Sequence, residues 1–215
     1  MTADDDDPVL PNMVEVHDKF WSQLELQSDY GDFWEVRTRC MTPEGVLVGA
    51  PLPEPYFDSD YIKVNIRKGN KAEMNGSRKL EILKNVAGVP PFIFEDKCSN
   101  FPEKLRWIRT AKLYKTRFVP DITRIYTPNP AGLIMNSKSM RSKYNTLVGA
   151  TYMIRENRDI LIGTSIKDYL REIVIIGYKS AETHERIKQI GFGFIDYILA
   201  VTAKGIFKTY FAIKQ

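Results

Sequence analysis

The sequence predicts an α+β fold, with a single domain, a mainly antiparallel sheet, a few packed helices and a C-terminal helix–hairpin. The order of the elements is mixed and lacks the regular strand–helix alternation of a parallel α/β protein. Several short segments are β-branched and bounded by turn residues, whereas others have apolar residues at helical spacing. The 215 residues are 43% hydrophobic and 12% aromatic, which is typical of a globular chain with a sizeable core.

The chain is expected to begin with a disordered acidic arm, followed by one domain over residues 13–215. Residues 1–12 contain four consecutive aspartates and two prolines, which disfavour regular structure. Residues 13–27 predict a helix, because Val16, Phe20 and Leu24 recur at a spacing of four.

A hairpin and a linker are predicted next. Residues 33–40 and 46–49 flank "MTPEG", which predicts two strands joined by a turn at Pro43 and Gly45. Residues 50–60 contain three prolines and predict an exposed, polyproline-like linker.

The middle of the chain predicts one strand and two helices. Residues 61–67 alternate apolar and polar side chains, as a half-buried strand does. Residues 77–88 predict a helix that begins at Ser77 and ends at Gly88. A basic amphipathic helix is predicted from residue 101 to 118, with Pro120 ending it.

The remaining sequence predicts a loop, three strands and a terminal helix–hairpin. A long basic loop is expected near residues 127–145, where prolines and glycine interrupt the pattern. The β-branched segments 146–154, 158–163 and 171–178 predict strands. Ser180 then predicts the start of a helix that ends at Gly191, and two apolar segments complete a hairpin, at 192–202 and 206–214.

Charge is unevenly distributed along the chain. Residues 1–60 carry fourteen acidic and three basic side chains, whereas residues 104–143 carry ten basic side chains and one acidic. This asymmetry favours a face that binds a polyanion, such as nucleic acid or anionic lipid. The alternative is the solvated face of an ordinary amphipathic helix. The predicted polyanion-binding residues are Lys104, Arg106, Arg109, Lys112, Lys115, Arg117, Arg124, Lys138, Arg141 and Lys143, with Trp107 and Tyr114 as an aromatic interface.

Several classes of function find no support in the sequence. No apolar run is long enough to span a membrane, and the N-terminus lacks the features of a secretory signal. Cys40 and Cys98 do not constitute a disulfide framework and are expected to be reduced. No nucleotide-binding, hydrolase or zinc motif is present, so we expect no catalytic residue, metal or cofactor.

One candidate for catalysis stays open. Glu95 and Lys97 follow an apolar run, and Glu81 or Asp60 lies upstream, as in the carboxylate pair and lysine of metal-dependent nucleases. Two carboxylates would hold Mg²⁺ and the lysine would help to activate water. The alternative is a charge trio at the surface.

The C-terminal third resembles a viral family. The segment "REIVIIGYKSAETHERIKQIGFGFIDYILAVTAKGIFKTY", residues 171–210, is similar in pattern to the closing part of matrix proteins of negative-strand RNA viruses, of the rhabdovirus type. The resemblance implies a non-enzymatic, self-associating α+β protein that binds anionic membrane and the viral nucleocapsid or RNA and drives budding. It would be found in the virion, in the host cytoplasm or at the inner face of the membrane.

Two features depart from that family. Its members begin with a lysine-rich arm, whereas this chain begins with an aspartate run. Their Pro-Pro-x-Tyr budding motif is replaced here by "PEPY" at residues 53–56. The resemblance therefore implies a basic face between Lys104 and Lys143. A nucleic-acid-binding viral coat or movement protein is the alternative, for which affinity would fall steeply with salt.

Overall fold

The computed structural model describes residues 7–67, 72–89, 91–98, 101–127 and 139–213. It confirms the α+β class, because helices are combined with a four-stranded sheet. The residues divide into two compact units, which are described separately. Unit 1 comprises Met1–Gly88 and Arg106–Asn129, and unit 2 comprises Val89–Leu105 and Pro130–Gln215.

Unit 1 contains the sheet, in the order β2-β4-β1-β3. The strands are β1 (Phe33–Met41), β2 (Phe57–Ser59), β3 (Met74–Arg78) and β4 (Lys115–Ile125). The central pair, β1 and β4, is parallel, whereas β1–β3 and β2–β4 are antiparallel. The sheet is therefore mixed, with two of its three pairings antiparallel.

The first helix, α1 (Met13–Glu25), lies where the periodicity predicted it. Val16, Phe20 and Leu24 are buried and form one cluster with residues of β1 and β4, including Phe33 and Val119. A continuous apolar stripe on a helix is stabilised mainly by such burial.

The predicted disordered arm is ordered from Asp7 onward, and residues 1–6 lie outside the described part of the chain. The backbone of this segment pairs with the end of β4, since the amide of Leu10 donates to Thr123 (2.8 Å) and that of Ile125 to Pro8 (2.9 Å). The Asp7 carboxylate accepts from the amide of Thr127 at 3.0 Å. The segment therefore behaves as a short extra strand.

Of three predictions in the middle of the chain, the strand 61–67 is wrong and the two helices are confirmed only in part. Residues 62–67 form a π-helical turn, and residues 77–88 contain the end of β3 followed by α2 (Leu80–Asn85). The predicted helix 101–118 is α3 (Glu103–Ala111) and then the start of β4. Pro120 ends no helix. It lies in a bulge of β4. Between two successive pairs with β1, the chain advances by four residues along β4 but by only two along β1.

The turn predicted around Pro43 and Gly45 is present, since the amide of Thr42 donates to Val46 at 2.8 Å. Gly45 has a positive φ of 80°, which favours glycine. The predicted linker 50–60 is not wholly irregular, because it contains β2.

Unit 2 contains α4 (Met140–Thr164), α5 (Ile166–Glu182) and α6 (Phe194–Ile213). The strands predicted at 146–154, 158–163 and 171–178 are therefore wrong, as are the helix after Ser180 and the terminal hairpin. Buried residues of α4 recur at helical spacing, and Ser139 and Ser165 cap α4 and α5. Tertiary burial outweighs the strand propensity of the β-branched residues here. Residues 140–145 of the predicted loop belong to α4, and 128–138 lie outside the described residues.

The α5 and α6 helices approach closely at a single glycine. A Cβ added to Gly177 would lie 2.5 Å from the Cβ of Ala203 and 2.8 Å from the backbone nitrogen of Lys204. Both atoms belong to α6, and a backbone atom cannot rotate away. Gly177 therefore sets the distance between the two helices.

Replacing Gly177 with alanine is expected to destabilise the protein by about 1–3 kcal/mol, because the added methyl forces α5 and α6 apart. Helix propensity alone would favour alanine by about 1 kcal/mol. Gly163→Ala is the matched control, since a Cβ there meets nothing within 4 Å and should stabilise the chain. Urea unfolding followed by circular dichroism measures both. Stabilisation by both substitutions would contradict the close approach.

Candidate functional site

Two of the predicted polyanion-binding residues are buried in unit 1. Arg117 is 0% exposed, and its Nε and Nη2 each donate to the Asp58 carboxylate at 2.8 Å. Arg124 is 3% exposed and pairs with Glu73 at 2.8 Å and Asp7 at 3.5 Å. Both guanidinium groups are neutralised inside the protein, so neither is available to a surface ligand.

The basic side chains of α3 in unit 1 are held by backbone acceptors. Arg106 donates to the carbonyl of Ala87 at 2.7 Å, and Arg109 donates to that of Gly88 at 3.4 Å. Trp107 is buried with its ring 5.6 Å from that of Trp34, and Tyr114 packs against the same cluster. The proposed aromatic interface is therefore part of the core.

The other predicted residues are dispersed. Lys115 forms ion pairs with Asp29 and Asp32, at 3.0 and 3.2 Å. Lys112 is exposed in unit 1, Lys104 and Arg141 are exposed in unit 2, and Lys143 of unit 2 lies 3.5 Å from Glu182. Lys138 lies outside the described residues. The predicted residues thus belong to two units, and several have intramolecular partners.

The candidate nuclease residues do not form a metal site in the described part of the chain. Lys97 pairs with Glu185 at 2.6 Å, and Asp60 accepts the amide of Lys63 at 2.8 Å. Glu95 and Glu81 are exposed. Among the residues described, no three acidic, histidine or cysteine side chains are placed to hold a metal ion.

Sequence reasoning missed the most distinctive surface, which lies on α6. At 100° per residue, the exposed apolar side chains of this helix share an arc of about 140°. We call this arc the outer face of α6. Four of its side chains are 60% exposed or more, since Phe194 and Ile213 are each 79%, Ile206 is 63% and Ile195 is 60% exposed. Its apolar members are Phe194, Ile195, Ile198, Val201, Ile206 and Ile213.

No charged side chain lies on this outer face. The charged residues of α6 are Asp196, Lys204 and Lys208. Asp196 is only 5% exposed, because it turns inward to accept from the Tyr169 hydroxyl at 2.5 Å and from Arg158 at 3.2 Å. Exposed apolar patches of this kind mark surfaces that bind partners or membranes.

Cations lie along one flank of the outer face. Lys204 and Lys208 are one turn apart on α6, between its buried side and its outer face. Arg186 and Lys188 approach the same flank from the 3₁₀ turn Ile187–Ile190 and the residue before it. The sequence contained a signal for this arrangement. When residues 194–213 are arranged with helical spacing, all of their charged side chains lie away from one side of the helix.

No helix in the described part of the chain is both long enough and apolar enough to cross a membrane. No protein-family profile, curated protein or solved structure matches this chain.

Proposed function

We propose that this chain is a peripheral protein that binds anionic membrane through the outer face of α6. The observation that carries this proposal is a 20-residue helix whose exposed side is uncharged and mainly apolar, with lysines along its flank. Thr202 and Thr209 are the polar side chains on this side. Amphipathic helices that lie in the membrane interface have this arrangement.

The energetics are sufficient for reversible binding. Transferring one Ile or Phe side chain from water to an apolar layer contributes about 1.5–3 kcal/mol when burial is complete. Each lysine close to an anionic leaflet adds about 1 kcal/mol. The α6 helix is about 30 Å long, so its exposed side chains contact the interface together when the helix lies parallel to it. Anionic lipid fits the positive flank better than neutral lipid does.

The proposal agrees with the matrix-like role that the sequence resemblance suggests. In that role the chain is a non-enzymatic structural protein that self-associates and contacts a nucleocapsid or RNA. The membrane-binding face, however, would be α6 and its flank, not residues 104–143. Anchoring a layer of copies to a membrane requires a lipid-facing surface on each copy, and α6 supplies an apolar one.

The test is co-sedimentation with vesicles. We expect the protein to bind vesicles that contain phosphatidylserine and to bind phosphatidylcholine vesicles weakly. The double variant Ile198→Asp, Ile206→Asp should lose more than about tenfold in partition, because charge opposes insertion. Raising the salt concentration should weaken binding only in part, since the apolar contribution is not screened.

The matched control places the same change on exposed apolar residues of unit 1. Val14 and Leu113 are 62% and 66% exposed, and Val14→Asp with Leu113→Asp should bind vesicles as the parent does. Equal losses in both double variants would contradict the role of α6. Binding to single-stranded RNA, with all vesicles ignored, would overturn the membrane proposal in favour of a nucleic-acid-binding protein.

A further inference from the structure

The basic flank of α6 encloses a groove of about 350 Å³ in unit 2. One wall is formed by residues 186–188, and the other by one side of α6 from Tyr197 to Lys208. Among the described residues, no carboxylate lines it, and four cations do: Arg186, Lys188, Lys204 and Lys208. Its volume lies within the range of small-molecule sites.

Three of these cations have no acidic partner. In the part of the chain that the structure describes, no carboxylate pairs with Arg186, Lys188 or Lys208. The nearest acidic residue in sequence, Glu185, is engaged elsewhere, because its Oε1 lies 2.6 Å from Lys97 Nζ and 2.8 Å from the Tyr144 hydroxyl. The groove therefore presents uncompensated positive charge.

Lys204 shows how closely the cations are placed. It is half-buried and donates to the carbonyl of Glu185. Burial lowers its pKa, and the neighbouring positive charge of Lys208 lowers it further. An anion in the groove would relieve this repulsion.

We propose that this groove binds the phosphate groups of a phosphomonoester lipid headgroup, such as a polyphosphoinositide. The inference rests on the proposed function and adds to it a lipid class. A phosphomonoester carries a charge of about −1.5 to −2 near neutral pH, and lysine and arginine bind phosphate through charge-assisted hydrogen bonds. Phosphatidylserine has one phosphodiester charge, and its carboxylate is balanced by its own amine. It therefore compensates four cations less well than a phosphomonoester does.

The position of the groove favours a lipid over a free phosphate compound. Val201 belongs both to the groove lining and to the outer face of α6. A headgroup in the groove would therefore leave its acyl chains beside the apolar side chains that are proposed to enter the membrane. The partially buried Tyr197 also lines the groove.

The experiment compares vesicles of equal net charge that contain either phosphatidylinositol bisphosphate or phosphatidylserine. We expect at least about tenfold tighter binding to the former, which corresponds to one or two charge-assisted hydrogen bonds. Lys204→Ala with Lys208→Ala and, separately, Arg186→Ala with Lys188→Ala should each reduce this ratio towards one. Lys104→Ala with Lys167→Ala removes the same charge from exposed positions elsewhere in unit 2 and should leave the ratio unchanged.

The outcomes separate this inference from the proposed function. Binding to phosphatidylserine vesicles without any preference would overturn the headgroup assignment and leave membrane binding in place. Failure to bind any vesicle would overturn both. Titration with inositol phosphate and inorganic phosphate distinguishes the source: tight binding of either soluble compound without a preference among vesicles would contradict the lipid assignment.

Discussion

Substitution of Glu35 by alanine is expected to destabilise the protein by about 3–5 kcal/mol, the largest loss among the changes considered. Glu35 is 1% exposed and lies on β1 in the centre of the sheet. Its Oε2 is 2.9 Å from Nε of Arg37, and its Oε1 is 2.7 Å from Nε of Arg78. One carboxylate thus compensates two guanidinium groups whose side chains are at most 10% exposed.

The cost arises from the charges that remain. Removing one member of a buried ion pair leaves an uncompensated charge away from water, which typically costs about 3–5 kcal/mol. Contacts of Arg78 with the Trp107 ring, 4.4 Å from the guanidinium carbon, stabilise a cation only weakly by comparison. A domain has about 5–15 kcal/mol of stability in total, so the variant should unfold at much lower urea concentrations.

Tryptophan fluorescence during urea unfolding measures this effect, because Trp34 and Trp107 lie in the core next to the arginines. Glu15→Ala is the control, since Glu15 is exposed on α1 and its removal should change stability by about 0.5 kcal/mol or less. Equal midpoints for the two variants would show that Glu35 does not hold the pair of arginines.

The second prediction is a loss of stability on acidification that depends on His17. His17 is 1% exposed, and burial lowers its pKa from 6.5 to about 4. Its Nδ1 is 2.7 Å from Ser77 Oγ, which also accepts from the Trp21 indole at 2.8 Å. The Ser77 hydroxyl can donate its own hydrogen to Nδ1, so the neutral ring is hydrogen-bonded in this site. Burial opposes its protonation.

The sign follows from the direction of the pKa shift. The unfolded state takes up a proton near pH 6.5, whereas the folded state does so only near pH 4. Between these values the unfolded state binds more protons, so the free energy of unfolding decreases as the pH falls from about 6.5 to about 4. The total loss is on the order of 3 kcal/mol, and below pH 4 this contribution changes no further.

Urea unfolding at a series of pH values measures the slope. His17→Gln cannot be protonated and should lack the slope between pH 6.5 and 5, where most carboxylates stay ionised. His184 is the only other histidine of the chain and is exposed, so His184→Gln should keep the slope of the parent. A slope that survives in His17→Gln would assign the acid sensitivity to other groups.

Elements with strong periodicity could be predicted from the sequence. The helix at residues 13–27 ends within two residues of its predicted end, and its three predicted core residues are buried. The turn at Gly45 was also predicted, because its chemistry is local. By contrast, the β-branched content of residues 146–154, 158–163 and 171–178 predicts strands, and the structure has helices there. Burial by neighbouring helices decides that assignment, and it cannot be obtained from propensity.

The position of a basic face could not be predicted correctly, because arginine side chains are neutralised by carboxylates that are far away in the sequence. Arg117 pairs with Asp58, 59 residues away, and Arg124 with Asp7, 117 residues away. Counting charges along the sequence treats all of these arginines as surface cations. The outer face of α6 was missed for a different reason. Two apolar segments with a turn between them, 192–202 and 206–214, predict a hairpin, whereas Phe194–Ile213 form one helix.

The parallel pairing of β1 with β4 also determines the order in which the protein acquires its structure. These strands are central in the sheet, yet β4 begins at Lys115, more than seventy residues after the end of β1 at Met41. During synthesis, β1 and β3 emerge first and expose an unpaired edge until residue 125 has left the ribosome. The α4, α5 and α6 helices meet their neighbours within short segments. The packing of α4, α5 and α6 therefore forms between elements that are neighbours in sequence, whereas unit 1 depends on a slow long-range event during which its nascent sheet is most exposed to aggregation.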